Sequence, residues 1–343
     1  MGCLSAVRTT RARLCSLTGV RFLPKKEVAI MPIDTTKCQD VSKDIGMSVI
    51  FATFKFHRTD TAAELAALRE VAARLPAIAH SLGIRDGGFG VRVALGLSLE
   101  GWQYFFPQAP KPAELETFAG LSSDAVVMPA DGSDLFLHVR ALNQAVVYEL
   151  LAQVMTFLHP HVSVIDETHG FGYFEGRAII GFIDGTEAPL PDVSADYAVI
   201  GDEDPSFING SYAFAQKWTH DMAAWEALTT EAQERAVGRR KFSDLELDDE
   251  SKDPGAHNVA AKVEFDGEEQ KIVRMNVAWS NPAAGQTGTY FIGYARHWLV
   301  TKAMLEQMLA LHDRLFDFST ITTGQLFFVP SKDILASIAS GTL

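Results

Sequence analysis

The chain has 343 residues, of which 47% are hydrophobic and 21% are charged, so it can bury a large core without disulfide or metal cross-links. Its formal net charge of −13 argues against a nucleic-acid-binding surface, and no apolar run is long enough to predict a membrane span. All three cysteines, Cys3, Cys15 and Cys38, precede residue 40, which excludes a disulfide scaffold, a thiolate metal site and a cysteine nucleophile from the rest of the chain.

The first segment differs chemically from the rest. Up to Lys26 it contains arginine and lysine but no acidic residue, a composition typical of organelle-targeting peptides. The alternative is an extension upstream of an internal start at Met31. We predict that residues 1–45 form a targeting or disordered extension outside the packed domains. The protein is expected in the cytoplasm, unless the basic segment 1–30 directs it to an organelle.

Strand-like and helix-like hydrophobic patterns alternate from residue 46 onward. The first series predicts strands and helices at Ser48–Phe56, Thr61–Leu75, Phe89–Ser98, Asp134–Val139, Asn143–Leu158 and from Val162. A second series predicts them at Ser211–Lys217, Met222–Val237, Lys271–Trp279, Thr289–Ala295, Trp298–Leu311 and Gly324–Val329. Each series has the order strand, helix, strand, strand, helix, strand, which is the ferredoxin-like order. The fold class is therefore predicted as α+β, with two ferredoxin-like domains at residues 46–170 and 171–335.

A glycine-flanked acid, Asp184 in the run GFIDGTEAP, is the first candidate for chemistry. Glycines on both sides permit close approach of the backbone to a ligand. The alternative is an ordinary Asp-Gly turn whose carboxylate caps a backbone amide.

Arg274 and Asn276 lie two residues apart in a predicted strand, so both side chains face the same way. A guanidinium and an amide on one face suit recognition of an anion or of a developing negative charge. The alternative is the solvated face of an edge strand.

Histidines pose a choice that the residues alone do not resolve. His257, in the long charged stretch 239–269, and His220, after a predicted strand, are both candidates, and neither has a metal-binding motif around it. A single histidine would suffice as the axial ligand of a porphyrin, which supplies four nitrogens itself. Nucleotide-binding glycine motifs and the nucleophile elbow GxSxG are absent from the sequence.

The run GFIDGTEAP resembles the GxxDG signature of the dye-decolorizing peroxidases, most closely their bacterial B-type branch. Six further blocks occur in the family's order: SYAFAQKWTHDMAAWEAL, QERAVGRRKFSDLELDD, GAHN, VRMN, GTYFIGYAR and DFSTITTGQLFFVP. The resemblance covers residues 46–332. It implies two ferredoxin-like domains with antiparallel sheets and a heme b pocket in the C-terminal one.

The resemblance also implies roles for single residues. Asp184 matches the distal aspartate, Arg274 the distal arginine that also contacts heme, and Asn276 the asparagine that follows it. His257, not His220, matches the proximal iron ligand. Asp317 matches the carboxylate that orients the proximal imidazole.

The implied activity is that of a heme peroxidase that reduces hydrogen peroxide and oxidises dyes, phenolics or porphyrinogen-like compounds. The alternative is a heme-binding or heme-handling protein whose peroxidase activity is incidental. Electrons from bulky substrates could pass through surface aromatics, for which Trp225, Trp279, Trp298, Tyr290 and Tyr294 are candidates, although core packing is the simpler role for each. The family also implies a homo-oligomer. Encapsulin packaging is an option that the tail Ser331–Leu343 does not support.

Overall fold

A computed structural model describes residues 33–42, 44–86, 88 and 90–343. Cys3, Cys15, the basic segment and the alternative start at Met31 lie outside the described residues. Among the helices that are described, none combines the length and hydropathy that a membrane span requires.

The strands follow the alternating hydrophobic patterns of the sequence. In chain order they are β1 (Ser48–Phe56), β2 (Arg92–Leu97), β3 (Leu121–Ser122), β4 (Val127–Met128), β5 (Leu135–Ala141), β6 (Val162–Phe171), β7 (Ser211–His220), β8 (Val263–Phe265), β9 (Glu268–Gln270), β10 (Val273–Asn281), β11 (Gln286–Ala295) and β12 (Ser319–Val329). The pairs β3–β4 and β8–β9 are short separate hairpins that the patterns did not predict.

The helices are α1 (Thr61–Gly83), α2 (Leu99–Phe105), α3 (Gln144–Leu158), α4 (Ser194–Ala198), α5 (Met222–Glu226), α6 (Thr230–Val237), α7 (His257–Ala260), α8 (Trp298–Leu311) and α9 (Lys332–Ser340). Side-chain caps fix several of their starts: Asp60 accepts hydrogen bonds from the amides of Ala62 and Ala63 at the start of α1, and Asn143 caps α3. Three short 3-10 helices complete the described elements.

The eight long strands pair antiparallel and close into one barrel in the order β1-β5-β2-β12-β7-β11-β10-β6. Within it, the N-half sheet has the order β6-β1-β5-β2 and the C-half sheet the order β12-β7-β11-β10. Both orders are those of a ferredoxin-like sheet, so the predicted α+β class with antiparallel sheets is confirmed. The division into two domains at residue 170 stays a prediction, because strands of both halves share the barrel.

The two sheets join at two seams. At one seam Leu97 pairs with Phe328, and at the other Gly170 pairs with Trp279 and Phe171 with Ala278. A Cβ atom at Gly170 would lie 2.5 Å from a methyl carbon of Val277, so only glycine allows this approach. Packed apolar side chains fill the barrel interior, while α1 and α3 cover the outside of the N-half sheet and α8 covers the C-half sheet.

The prediction that residues 1–45 lie outside the packed domains is wrong for residues 33–42. Cys38 and Val41 are 4% and 1% exposed and pack with the side chains of the barrel interior. Gln39 is also buried, and its side chain bonds to the backbone of Leu95 and to the carbonyl oxygen of Pro330. Residues 33–42 thus belong to the packed fold, because they bond both to β2 and to the residues that follow β12.

Two helix predictions differ from the structure. Helix α1 continues to Gly83 through Pro76, although proline usually ends a helix. The predicted helix Met222–Val237 is two helices, because Thr229 accepts a hydrogen bond from the amide of Ala232 and starts α6 anew. The long charged stretch 239–269 contains α7, β8 and the first residues of β9.

Candidate active site

A cavity opens on the outer face of the C-half sheet, between β7, β10 and β11 on one side and α7 and α8 on another. The space inside it amounts to about 1090 Å³, including the part open to solvent. Its apolar lining is formed mainly by Trp218, Phe291, Met304, Leu305, Met308 and Leu315. Asp184, Arg274, Asn276 and His257 also line it, so the structure brings four of the sequence-predicted residues together.

The loop that carries Asp184 is held in place by Arg177. Its guanidinium donates hydrogen bonds of 2.8 Å to the carbonyl oxygens of Gly181 and Lys241. Gly181 has φ of 93°, and a Cβ atom there would lie 2.8 Å from Cε of Lys241. Glycine is therefore required at this turn, which places Asp184 at the cavity wall.

The Asp184 carboxylate is anchored by β10 and not by its own turn. Oδ1 accepts a 2.7 Å hydrogen bond from the Asn276 side-chain amide, and Oδ2 accepts one of 3.2 Å from the Asn276 backbone amide. Both bonds connect segments 92 residues apart. The arrangement differs from that of a local Asp-Gly cap and fixes the direction in which the carboxylate points.

Arg274 is on the same face of β10 as Asn276, as the strand period predicts. Its guanidinium is half-buried and forms no hydrogen bond or ion pair with any side chain in the described part of the protein. Unpaired polar groups in partly buried sites are costly unless a ligand satisfies them. The cavity therefore presents a positive charge that suits an anionic group.

His257 is the first residue of the short helix α7 and lines the cavity on the side that α7 and α8 form. Its Nδ1 atom lies 2.6 Å from Oδ2 of Asp313, whose side chain is wholly buried. The imidazole is 28% exposed, and its Nε2 atom has no hydrogen-bond partner among the described residues. A neutral imidazole held at Nδ1 by a carboxylate offers Nε2 as a metal ligand.

Close packing around Gly255 makes this contact possible. A Cβ atom at Gly255 would collide with the carbonyl oxygens of Leu311 and His312, at the C-terminal end of α8. The Gly255 carbonyl oxygen also accepts a 2.9 Å hydrogen bond from the amide of Arg314. These contacts hold the segment before His257 against the segment that carries Asp313.

The expectation that the Asp317 carboxylate orients the imidazole of His257 is wrong. Asp317 does not contact His257 but lies 2.9 Å from Nε2 of His312 and forms an ion pair with Arg314. Asp313 takes the expected place: it lies two residues after the end of α8 and also caps the next 3-10 helix by accepting a hydrogen bond from the amide of Leu315. No local sequence pattern separates the two acids, because both lie in the same short segment after α8.

His220 is excluded as a ligand by its own hydrogen bonds. Nδ1 lies 2.8 Å from Oγ of Ser319, and Nε2 lies 2.8 Å from Oγ1 of Thr289. Burial lowers the pKa of His220 to about 4, so the ring is neutral near pH 7. Both ring nitrogens of His220 thus form hydrogen bonds, and neither is available to bind a metal.

The donor set of the cavity fits heme. Within the described residues no group of three His, Cys, Asp or Glu side chains could hold a bare metal ion. One free imidazole nitrogen suffices only where a macrocycle supplies the other ligands. Two buried polar atoms of the lining, Nε2 of Gln216 and Oδ1 of Asn258, also have no partner in the described structure.

The five aromatic residues considered as surface electron carriers are all buried. Their exposed fractions are 1% for Trp225, 8% for Trp279, 1% for Trp298, 1% for Tyr290 and 0% for Tyr294. None of them offers a surface on which a bulky substrate could dock. All five side chains pack in hydrophobic clusters of the core.

Two family profiles match the chain almost end to end within its folded part. The profile "Dyp-type peroxidase, N-terminal" matches residues 39–172, and "Dyp-type peroxidase, C-terminal" matches residues 175–334. A curated dye-decolorizing peroxidase of Brevibacterium linens is 43% identical over 266 residues, which is 75% of this chain and 72% of that protein.

Solved structures are similar over the same region. A DypB variant of Rhodococcus jostii RHA1 in complex with heme is 36% identical, with a TM-score of 0.82 over 88% of this chain and 98% of that one. The encapsulated DyP-type peroxidase of Mycobacterium smegmatis is 35% identical, with a TM-score of 0.83 over 87% of this chain and 97% of that one.

Proposed function

Since the chain belongs to the Dyp-type peroxidase family, we propose that its C-half cavity holds heme b with His257 as the protein ligand of the iron. The protein is a heme-dependent peroxidase that acts on hydrogen peroxide. The observation that supports the site assignment is the imidazole of His257, which is bonded to Asp313 at Nδ1 and free at Nε2 in the same cavity as Asp184 and Arg274. Bound heme supplies an iron atom that accepts electrons from the organic substrate and passes them to peroxide.

Asp313 is proposed to orient His257 and to make it a stronger donor. A carboxylate at 2.6 Å from Nδ1 fixes the tautomer in which Nδ1 carries the hydrogen and Nε2 carries the lone pair. Because Asp313 is wholly buried, its charge acts through a medium of low dielectric and gives the imidazole anionic character. Anionic character in the ligand favours the higher oxidation states of the metal.

Asp184 is proposed to move the proton that peroxide must transfer from one oxygen to the other before the O–O bond breaks. Asn276 holds it by two hydrogen bonds, one to each carboxylate oxygen, so the carboxylate keeps one orientation during the transfer. The arrangement supports a positioning role for Asn276.

Arg274 is proposed to stabilise negative charge on peroxide and to bind a heme propionate. Its guanidinium has no protein partner among the described residues and lines the cavity, so it is available for both contacts. Dyes, phenolics and porphyrinogen-like compounds are the proposed reducing substrates. A heme-handling protein, the alternative function, would need His257 but would have no use for a positioned acid and a free guanidinium.

Heme reconstitution tests the site assignment. His257→Ala should abolish the Soret band of the reconstituted protein, because no other imidazole nitrogen is free in the described cavity wall. The matched control His220→Gln removes a histidine that also lines the cavity and should retain the band. Retention of heme by the first variant, or its loss from the second alone, would contradict the assignment.

Steady-state turnover separates the two functions. The protein should turn over hydrogen peroxide with a dye, and Asp184→Asn should reduce that turnover while heme stays bound. Tight heme binding without turnover would favour a heme carrier. We also propose a homo-oligomer in the cytoplasm, which size measurement and localisation of the full chain would test.

A further inference from the structure

A tyrosine–histidine pair lies inside the barrel and has no part in the roles proposed above. The hydroxyl oxygen of Tyr294 on β11 lies 2.8 Å from Nδ1 of His138 on β5, and both residues are 0% exposed. Phe51 stacks on the imidazole, with 4.4 Å between the ring centroids. The pair is therefore held in one geometry by its packing.

The pair lies just across the C-half sheet from the cavity. On β11, Thr289 and Phe291 face the cavity, whereas Tyr290 and Tyr294 face the barrel interior. Tyr294 is paired in register with Val273, the residue before Arg274. Only the thickness of one sheet separates the phenol from the proposed heme site.

The protonation states of the pair suit the loss of one electron together with one proton. Burial raises the pKa of Tyr294, so the phenol keeps its proton near pH 7. Burial, assisted by the charge of Arg140, lowers the pKa of His138 well below its usual range, so the imidazole is neutral and has a free lone pair. In the tautomer that carries its hydrogen on Nε2, Nδ1 of His138 accepts from the Tyr294 hydroxyl, which has no other acceptor among the described residues.

We propose that Tyr294 forms a neutral radical during turnover. Tyr294 gives one electron to the peroxide-oxidised heme while its phenolic O–H bond breaks and the proton passes to Nδ1 of His138. One electron from the reducing substrate, with return of that proton, restores both side chains. The inference rests on the proposed heme site, which supplies the oxidant. The positive charge gained by His138 beside Arg140 is unfavourable in the core and drives the proton back.

Two other tyrosines, Tyr290 and Tyr104, lack the surroundings that favour radical formation at Tyr294. Tyr290 is equally buried, on the same strand and face, but its hydroxyl forms no hydrogen bond with a basic group of the described chain. Tyr104 donates to the Glu64 carboxylate, but the guanidinium of Arg58 lies 4.9 Å from its ring centroid. A cation over the ring opposes the loss of an electron, and Tyr104 belongs to the N-terminal half.

Electron paramagnetic resonance of the holoenzyme tests the proposal. The protein is mixed with hydrogen peroxide without reducing substrate, frozen within milliseconds, and compared with protein that contains ring-deuterated tyrosine. We expect a tyrosyl signal that narrows on deuteration, is lost in Tyr294→Phe, and persists in the matched control Tyr290→Phe. His138→Gln should lose it too, because glutamine accepts the hydrogen bond but not the proton.

The outcomes separate this proposal from the proposed function. A signal that survives in Tyr294→Phe, or that disappears in Tyr290→Phe, would overturn it. So would a wild-type enzyme that shows a Soret band and turnover but no tyrosyl signal. Absence of the Soret band and of turnover in the wild type would instead refute the proposed heme site.

Discussion

Asp313→Asn tests the most specific feature of the site, the carboxylate behind His257. The substitution keeps the shape of the side chain and an oxygen that can accept from Nδ1, so the main change is the loss of a buried negative charge. The 2.6 Å contact and the full burial of Asp313 place the bond among charge-assisted hydrogen bonds, worth about 1.5–3 kcal/mol. Removing such a partner of a metal-ligating histidine typically costs about 10–100-fold in metal affinity, or roughly 1.4–2.7 kcal/mol.

Two measurements check this expectation. Heme transfer from the variant to an excess of a heme scavenger should be about 10–100 times faster than from the wild type. The reduction potential of the bound iron should rise, because the anionic ligand that favours the ferric state is lost. Asp317→Asn is the matched control, since Asp317 pairs with His312 and Arg314 instead. Equal effects of the two substitutions, or an effect of the control alone, would refute the reasoning.

Three further expectations concern the rest of the cavity. Arg274→Leu should slow the reaction with peroxide about a hundredfold, as loss of a preorganised donor does, in stopped-flow measurements. Asn276→Leu should slow it by about tenfold or more while heme stays bound, because the Asp184 carboxylate then loses a hydrogen bond worth about 1.5–3 kcal/mol. His220 has a folded-state pKa of about 4 against an ordinary 6.5, so the unfolded chain takes up its proton first as the pH falls. The contribution of neutral His220 to folding stability is complete above pH 6.5 and is lost towards pH 4, by about 3 kcal/mol at most. As the pH falls, the urea midpoint of His220→Gln should therefore decrease less than that of the wild type. Equal pH slopes for variant and wild type would contradict that assignment.

Elements with a strong local pattern could be predicted from the sequence. The predicted strand Ser48–Phe56 and the predicted helix Trp298–Leu311 coincide with the observed elements. In α8 the buried residues lie along one face of the helix, as its hydrophobic period indicates, whereas β1 is buried on both faces and is recognised by its nearly continuous apolar run. The prediction that Arg274 and Asn276 share a face of one strand depends on the same local rule and holds in the structure.

Features that depend on distant contacts could not be predicted in this way. Closure of the two sheets into one barrel depends on pairs such as Leu97 with Phe328, more than 200 residues apart. The choice between Asp313 and Asp317 depends on how the end of α8 packs against Gly255, and both acids lie in the same short segment. Residues 33–42 carry no strong periodicity, and their burial follows from bonds to Leu95 and Pro330, which are distant in the chain.

The two faces of the C-half sheet have different roles, because one lines the polar cavity and the other packs in the barrel interior. Alternation along β10 points Arg274 and Asn276 at the cavity and Met275 and Val277 into the barrel. A shift of the β10–β11 register by one residue would exchange these faces, which would bury the guanidinium in an apolar core and expose the apolar side chains in the cavity. The cost of burying a charge without a partner is large, so the register is strongly specified. The same register fixes Tyr294 behind Arg274, and the polar cavity and the buried tyrosine–histidine pair are therefore positioned by one set of backbone hydrogen bonds.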